Sequence, residues 1–290
     1  MVLRCGVTNN VPSRSRMRVE MALRIDLETR QRIAVATGLT PEELVAVEGI
    51  EDSGDATCVL SGSRIAGHGN AGSDVDLYVI SDRQPVGILS HRFASFSVSA
   101  HFVRDTRVDY TFWHPLQVWE LAGRLSNMPE RPRSDMLFTV DEVALFHWLK
   151  VGIPLTGEDY LARWLSLIDY PQFTRYLKRC AMDLIDDDIE DCLGMMDSDD
   201  RDSCLLRVRM LLEHLVDLSG YHLGNTNSKS KWRALTLKRF GPAAPDLRTF
   251  WRLAYPPNIA VLREDRAAFV QYVTTCVELA NTITMWTLNV

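Results

Sequence analysis

Residues 57–80 constrain this chain more than any other stretch. Thr57, Cys58, Val59 and Leu60 make a short β-branched and apolar run of the kind that forms a buried strand. Ser61-Gly62-Ser63 ends it, and a glycine-rich loop follows with Gly67, Gly69, Asn70 and Gly72. Residues 74–80 then read Asp-Val-Asp-Leu-Tyr-Val-Ile, alternating first and apolar afterwards, as a central strand covered by helices does. Side chains at i and i+2 of a strand share a face, so Asp74 and Asp76 converge while Val75 and Leu77 turn into packing. Two carboxylates held together lose hydration and repel each other, a large cost unless a cation lies between them. Hard oxygen ligands of this kind suit Mg2+, which keeps several waters and takes one or two carboxylates plus phosphate oxygens. The Gly62-Ser63 turn offers backbone N–H groups, and Ser63 a hydroxyl, to cradle phosphates opposite such ions.

Two further strands are expected at 96–103 and 107–113, joined by the turn-forming Asp105-Thr106, with the sheet ending there. Asp109 lies between Val108 and Tyr110, where it can stand on a strand beside the Asp74 strand. A third carboxylate would complete a clamp for two ions about 3.5–4 Å apart, able to grip the attacking and departing oxygens of a displacement.

A helical preface precedes this region. Residues 17–37 carry helix formers and close on Gly38, and Thr40 then opens a second helix, with Pro41 at its first position and Glu43 completing a capping box. Residues 1–16 read as a loosely ordered arm. A helix with an apolar side follows at 115–125. Beyond the Pro-rich stretch 128–133 the chain becomes almost purely helical, with runs at 135–150, 158–168, 171–196, 202–220 and 258–287. The expected organisation is therefore α+β: a lobe at 17–130 with a short mixed twisted sheet flanked by helices, then an all-helical, substrate-binding lobe at 131–290.

The remaining composition excludes some classes. A net charge of -6 argues against a broad, sequence-independent grip on nucleic acid, which needs a clustered basic surface. No stretch approaches the roughly 18 apolar residues of a membrane span, and the N-terminus lacks the apolar core of a secretory signal, so a cytoplasmic location is expected. The six cysteines form no Cys-x-x-Cys pair and read as reduced, packed thiols, including the evenly spaced Cys180, Cys192 and Cys204. The acidic run 186–202 lacks the glycine and terminal glutamate of a calcium loop and reads as a solvated helix junction.

Gly62-Ser63, Asp74-Val75-Asp76 and Val108-Asp109-Tyr110 together resemble the motif of the nucleotidyltransferase superfamily that includes DNA polymerase beta, especially its small bacterial members related to the aminoglycoside nucleotidyltransferases. Ser73 also matches, since that family often has Ser or Thr there near the phosphates. The resemblance implies a metal-dependent enzyme that transfers a nucleoside monophosphate, AMP from ATP, to a hydroxyl of a small acceptor and releases pyrophosphate. It implies two Mg2+ ions, replaceable by Mn2+, on Asp74, Asp76 and Asp109, the last also the favoured base. Gly62, Ser63, Arg64 and Ser73 would line the phosphates. Lys229 and Lys231 could stabilise the triphosphate tail from the helical lobe, and Glu142 could serve instead as general base. Residues 152–157 and 229–232 look like features of that lobe. Two alternatives stay open: transfer to a protein or tRNA, as in toxin-like relatives, and a catalytically silent nucleotide-binding regulator.

Overall fold

The structure is a computed structural model that describes residues 25–50, 56–67, 69–70, 72–83, 85, 90–129 and 137–288. The expected arm at 1–16, the first part of the preface helix, His68 and most of the Pro-rich stretch lie outside the described residues. The chain divides into two compact units, Met1–Glu120 with Trp148–Leu167, and Leu121–His147 with Ile168–Val290. The class is α+β: the first unit holds a mixed sheet with helices, and the second is helical.

Among the described residues the first unit begins with two short helices; the helix expected over 17–37 has its N-cap at Asp26, while the stop at Gly38 and the cap at Thr40 follow the sequence. Helix α1 (Leu27–Thr37) starts at Asp26, whose side chain accepts from the Thr29 N–H, and stops at Gly38 with φ 75°. Helix α2 (Pro41–Ala46) carries the full capping box, Thr40 and Glu43 each bonding the other's backbone N–H. Strand β1 (Thr57–Ser61) runs into a single helical turn, α3 (Gly62–Ile65), and then β2 (Val75–Ile80). Strands β3 (Ser90–Arg92), β4 (Ser97–Val103) and β5 (Thr106–Trp113) follow. The turn between β4 and β5 is Arg104-Asp105, with Arg104 at φ 54°; Asp105 is in it as expected, whereas Thr106 already pairs with Val103 as the first residue of β5.

The sheet does not end at Trp113 as the sequence suggested. Strand β6 (Ile153–Thr156) returns to pair antiparallel with β1, giving the order β3-β4-β5-β2-β1-β6. Residues 152–157, read above as part of the helical lobe, are therefore an edge strand of the sheet. Its chemistry suits that place: Pro154 lacks the N–H that an interior strand needs, and Ile153 and Leu155 alternate inward. Glycines stand at both ends because the backbones approach closely. A Cβ on Gly152 would lie 2.3 Å from Val59 Cγ1, and one on Gly157 would lie 2.5 Å from the Ala56 carbonyl oxygen. Helix α6 (Glu158–Leu167) belongs to this unit as well.

β2 and β5 are the centre of the sheet and run parallel, while β1 pairs antiparallel to β2 and β4 antiparallel to β5. One face packs Val75, Leu77, Val79, Val108 and Tyr110 into a core shared with Ile33 and Leu44 from α1 and α2. Each such buried side chain contributes about 1.5–3 kcal/mol relative to exposure. The Tyr110 hydroxyl donates to the Leu44 carbonyl, so the one polar atom of that core ring is satisfied. Behind β4 lies a small polar cluster in which Ser99 donates to Glu48 and His101 Nε2 pairs with the same carboxylate oxygen at 2.6 Å.

In the second unit the long helices α7 (Tyr170–Asp197) and α8 (Arg201–His222) meet at a tight junction, where Asp200 caps α8. Shorter helices follow: α9 (Arg233–Phe240), α10 (Phe250–Ala254) and α11 (Ile259–Glu264), then α12 (Arg266–Leu288). The single helix expected at 258–287 is thus two, divided at Asp265, whose carboxylate accepts from the Ala267 and Ala268 N–H groups and starts α12 anew. Within the acidic run, Asp188 is not solvated: it is buried and binds Arg207 at 2.9 Å and His214 at 2.7 Å. Cys192, Cys204 and Cys276 are buried free thiols, with Cys204 Sγ donating to the Cys192 carbonyl. Among the described residues no helix is long and apolar enough to cross a membrane.

Candidate functional site

Register brings the acidic residues together. Asp76 of β2 and Asp109 of β5 are direct partners across parallel strands, and Ser61 of β1 partners Asp76 on its other side. Neighbouring strands lie about 4.8 Å apart, so side chains on one face of such a row are in reach of one another. The alternation that buries Val75, Leu77, Val108 and Tyr110 on the core face leaves Asp76 and Asp109 half-buried on the other. Asp74 sits immediately before β2, also half-buried.

The turn after β1 is shaped to fit this carboxylate. Gly62 has φ 83°, and a Cβ placed on it would fall 2.0 Å from Asp76 Oδ2 and 2.8 Å from Asp76 Cβ. Only glycine allows both the left-handed backbone and this close approach. The Ser61 hydroxyl, in the same register row, is buried with no hydrogen-bond partner, a group that ordinarily costs about 1–3 kcal/mol to leave unsatisfied.

Arg107 is the residue that the sequence reading missed. Its Nε and Nη2 donate to the two oxygens of Asp109 at 2.8 and 2.9 Å, and its Nη1 stands 4.0 Å from Asp74 Oδ2. The hydrogen bond to Asp109, then the charges of Asp109, Asp74 and Asp76, hold the guanidinium above its ordinary pKa. The signal was present, because Arg107-Val-Asp109 has the same i, i+2 spacing as Asp74-Val-Asp76 and must put both groups on one face. In this arrangement the cation at the carboxylates is Arg107.

Three carboxylates beside an orphaned hydroxyl form an all-oxygen donor set, chemically suited to a hard divalent cation. As they stand, no group of three metal-ligating side chains among the described residues closes on one point. Asp109 spends both oxygens on Arg107, so an ion there would have to compete with the guanidinium. The residues fit Mg2+ in kind, with Arg107 its competitor in place.

The other expected site residues of this unit make contacts within the loop after β1. Arg64 ties the glycine-rich loop to α1, donating from Nε to the Ser73 carbonyl at 2.6 Å and from Nη1 toward the Ala36 and Thr37 carbonyls. Ser73 accepts from the Asn70 N–H through its hydroxyl, which makes it a loop-forming residue. Ser63 lies in α3, where its carbonyl accepts from the Gly69 N–H.

Glu142, Lys229 and Lys231 belong to the other compact unit. Glu142 is buried in helix α5 (Val140–Val151). It completes a capping box with Thr139 and pairs with Arg124 of helix α4 (Pro115–Ser126) at 2.7 Å. Both of its oxygens are committed to holding helices, which argues against the general-base role. The Lys229 N–H donates to Asn227, and Lys231 Nζ lies 4.9 Å over the Trp232 ring.

No family model and no curated protein matches the chain. Among solved structures it is similar to a nucleotidyltransferase-like protein from Exiguobacterium sibiricum 255-15, at 13% identity and a TM-score of 0.48, over 86% of this chain and 78% of that one.

Proposed function

We propose that this chain is a nucleotidyltransferase that moves a nucleoside monophosphate, AMP from ATP, onto a hydroxyl of a small acceptor and releases pyrophosphate. The observation that carries the reading is the register row in which Asp76 and Asp109 are strand partners, with Asp74 beside them and Gly62 cut away beneath the Asp76 carboxylate. A structural strand pair gains little from three carboxylates on one face: Arg107 balances Asp109, but one guanidinium faces three acids whose repulsion and lost hydration oppose folding. Phosphoryl chemistry needs them.

Asp74 and Asp76, with Asp109 sharing one ion, would hold Mg2+, which when bound neutralises the triphosphate and makes the acceptor hydroxyl more acidic. Asp109 then accepts the hydroxyl proton. The hydroxyl oxygen bonds to the α-phosphorus in line, and the bond from that phosphorus to the bridging oxygen breaks, so pyrophosphate departs with the electron pair. The Gly62-Ser63 turn faces the phosphates. Arg107 keeps Asp109 oriented and charge-balanced until substrate arrives. A net charge of -6 favours a small or cationic acceptor over nucleic acid.

The test is incubation of purified protein with Mg2+, each nucleoside triphosphate and a small-molecule extract, followed by mass spectrometry. The expected result is an acceptor heavier by one nucleotide and an equivalent of pyrophosphate, both lost in Asp76→Asn and Asp109→Asn variants that keep their fold. Turnover retained in either variant would remove the basis of the reading. Label appearing in protein or tRNA instead would transfer the same chemistry to a macromolecular acceptor.

A further inference from the structure

At the end of the sheet opposite Asp76 and Asp109, the C-terminal ends of β2 and β5 border a cavity of about 460 Å3. Four steps along the strand lead from Asp76 to Ile80, about 13 Å at 3.3 Å per residue, so this cavity is distinct from the carboxylate row. Its walls combine Phe93, Phe96, Phe112 and Trp113 with Arg83 and Arg92. The rings are ordered: Phe96 stacks on Trp113 at 5.2 Å and 24°, and Phe93 stacks on Phe96 at 4.6 Å and 18°. Trp113 is buried at the base of this stack, while Phe93 is 51% exposed at its outer end. An aromatic face left open beside a cavity favours another flat ring, which stacks with an added gain of about 0.5–1.5 kcal/mol per pair.

The charges of the lining have one sign. Arg83 is fixed there by an Nη1 donation to the Gly49 carbonyl at 3.1 Å and by its own N–H bonding the Ser81 hydroxyl. Arg92 stands on β3, next to Phe93. No carboxylate occurs among the described lining residues; Asp82, outside the lining, is exposed and lies 3.0 Å from His114 Nε2. Guanidinium groups pair with carboxylates by two parallel hydrogen bonds, a planar geometry that matches the planar wall. From these observations we infer that the cavity is a second ligand site, which takes a flat aromatic molecule carrying one carboxylate. A cavity of this size holds a one- or two-ring acid. The site stands independently of the reaction proposed for the carboxylate row.

The test is calorimetric titration of the full chain with 2-naphthoate, with 2-naphthol as the neutral analogue and cyclohexylacetate as the non-planar anion. Naphthoate binds saturably, 2-naphthol binds at least about tenfold more weakly for loss of a charge-assisted hydrogen bond, and cyclohexylacetate about two- to tenfold more weakly for loss of a stacking contact. Arg83→Ala and Arg92→Ala, both at exposed positions and checked for folding by circular dichroism, each weaken naphthoate about tenfold. Asp76→Asn leaves naphthoate binding unchanged, which separates this site from the carboxylate row. Absence of saturable binding at millimolar concentration, equal binding of 2-naphthol, or undiminished binding by the Arg83→Ala/Arg92→Ala double variant would each overturn the assignment.

Discussion

Replacing Gly62 by alanine probes the contact on which the carboxylate row depends. The new Cβ would meet Asp76 Oδ2 at 2.0 Å, Cγ at 2.7 Å and Cβ at 2.8 Å, all within a backbone held at φ 83°. Left-handed backbone costs an L-residue about 1–2 kcal/mol, and forced overpacking adds about 1–3 kcal/mol, so the variant should lose about 2–5 kcal/mol. Gly38 supplies the internal control. It has φ 75° but nothing within 4 Å of an added Cβ, so Gly38→Ala pays only the backbone part, about 1–2 kcal/mol. The excess at Gly62 is then the carboxylate clash alone. In an Asp76→Ala background the two nearest atoms are gone, and the cost of Gly62→Ala should fall toward that of Gly38→Ala. Urea unfolding of the four variants, followed by circular dichroism, measures this directly. Equal losses at the two glycines, or no relief when Asp76 is truncated, would show that the turn does not press on Asp76 and would refute the geometry of the site.

Two further outcomes follow from the same structure. Arg107→Ala should raise Mn2+ affinity, because the guanidinium no longer occupies both oxygens of Asp109; an exposed pair of this kind is worth about 0.2–1 kcal/mol, a gain of up to about fivefold, and unchanged affinity in a calorimetric titration would deny the competition. Glu43 carries a pKa below its ordinary value of 4.5, chiefly through the Thr40 N–H and, against some burial, through Arg104. Its contribution is therefore present above that ordinary value and is lost as pH falls through the lowered folded-state value. The stability gap between the natural chain and Glu43→Gln should be constant near neutral pH and close in acid; a gap that persists at acid pH would contradict the cap.

What was legible in the sequence depended on how local the cause is. The capping box at Thr40 and Glu43, the stop at Gly38 and the alternation that sets Asp76 against the buried Val75 and Leu77 are decided within a few residues, and the structure repeats them. The partnership of Asp76 with Asp109 needed only that two strands be neighbours, which apolar flanks at Val108 and Tyr110 made reasonable. Strand β6 was obscured because four residues between two helices give too short a run for alternation to register. Its place is set by the close approach at Gly152 and Gly157, which is a tertiary fact. Glu142 was offered as a base on family analogy, yet Thr139 three residues before it spells the same capping signature that identified α2. Arg107 falls outside a metal-ligand pattern, which selects only acids, although the strand period that pairs the aspartates also pairs it with Asp109. The stacked rings join the β3–β4 turn, at 93 and 96, to the last residue of β5, at 113, and no single window of sequence contains all three.

Divalent-cation binding at Asp74, Asp76 and Asp109, with Arg107 displaced, is what the proposed chemistry requires. Crystals grown with Mn2+ and a non-hydrolysable ATP analogue, measured for anomalous scattering at the manganese edge, test it most directly. The expected peak lies at the oxygens of Asp74 and Asp76, with Asp109 turned from the Arg107 guanidinium to the metal. An anomalous map with no manganese at that row, or with the ion elsewhere and the Arg107–Asp109 pair intact, would contradict it.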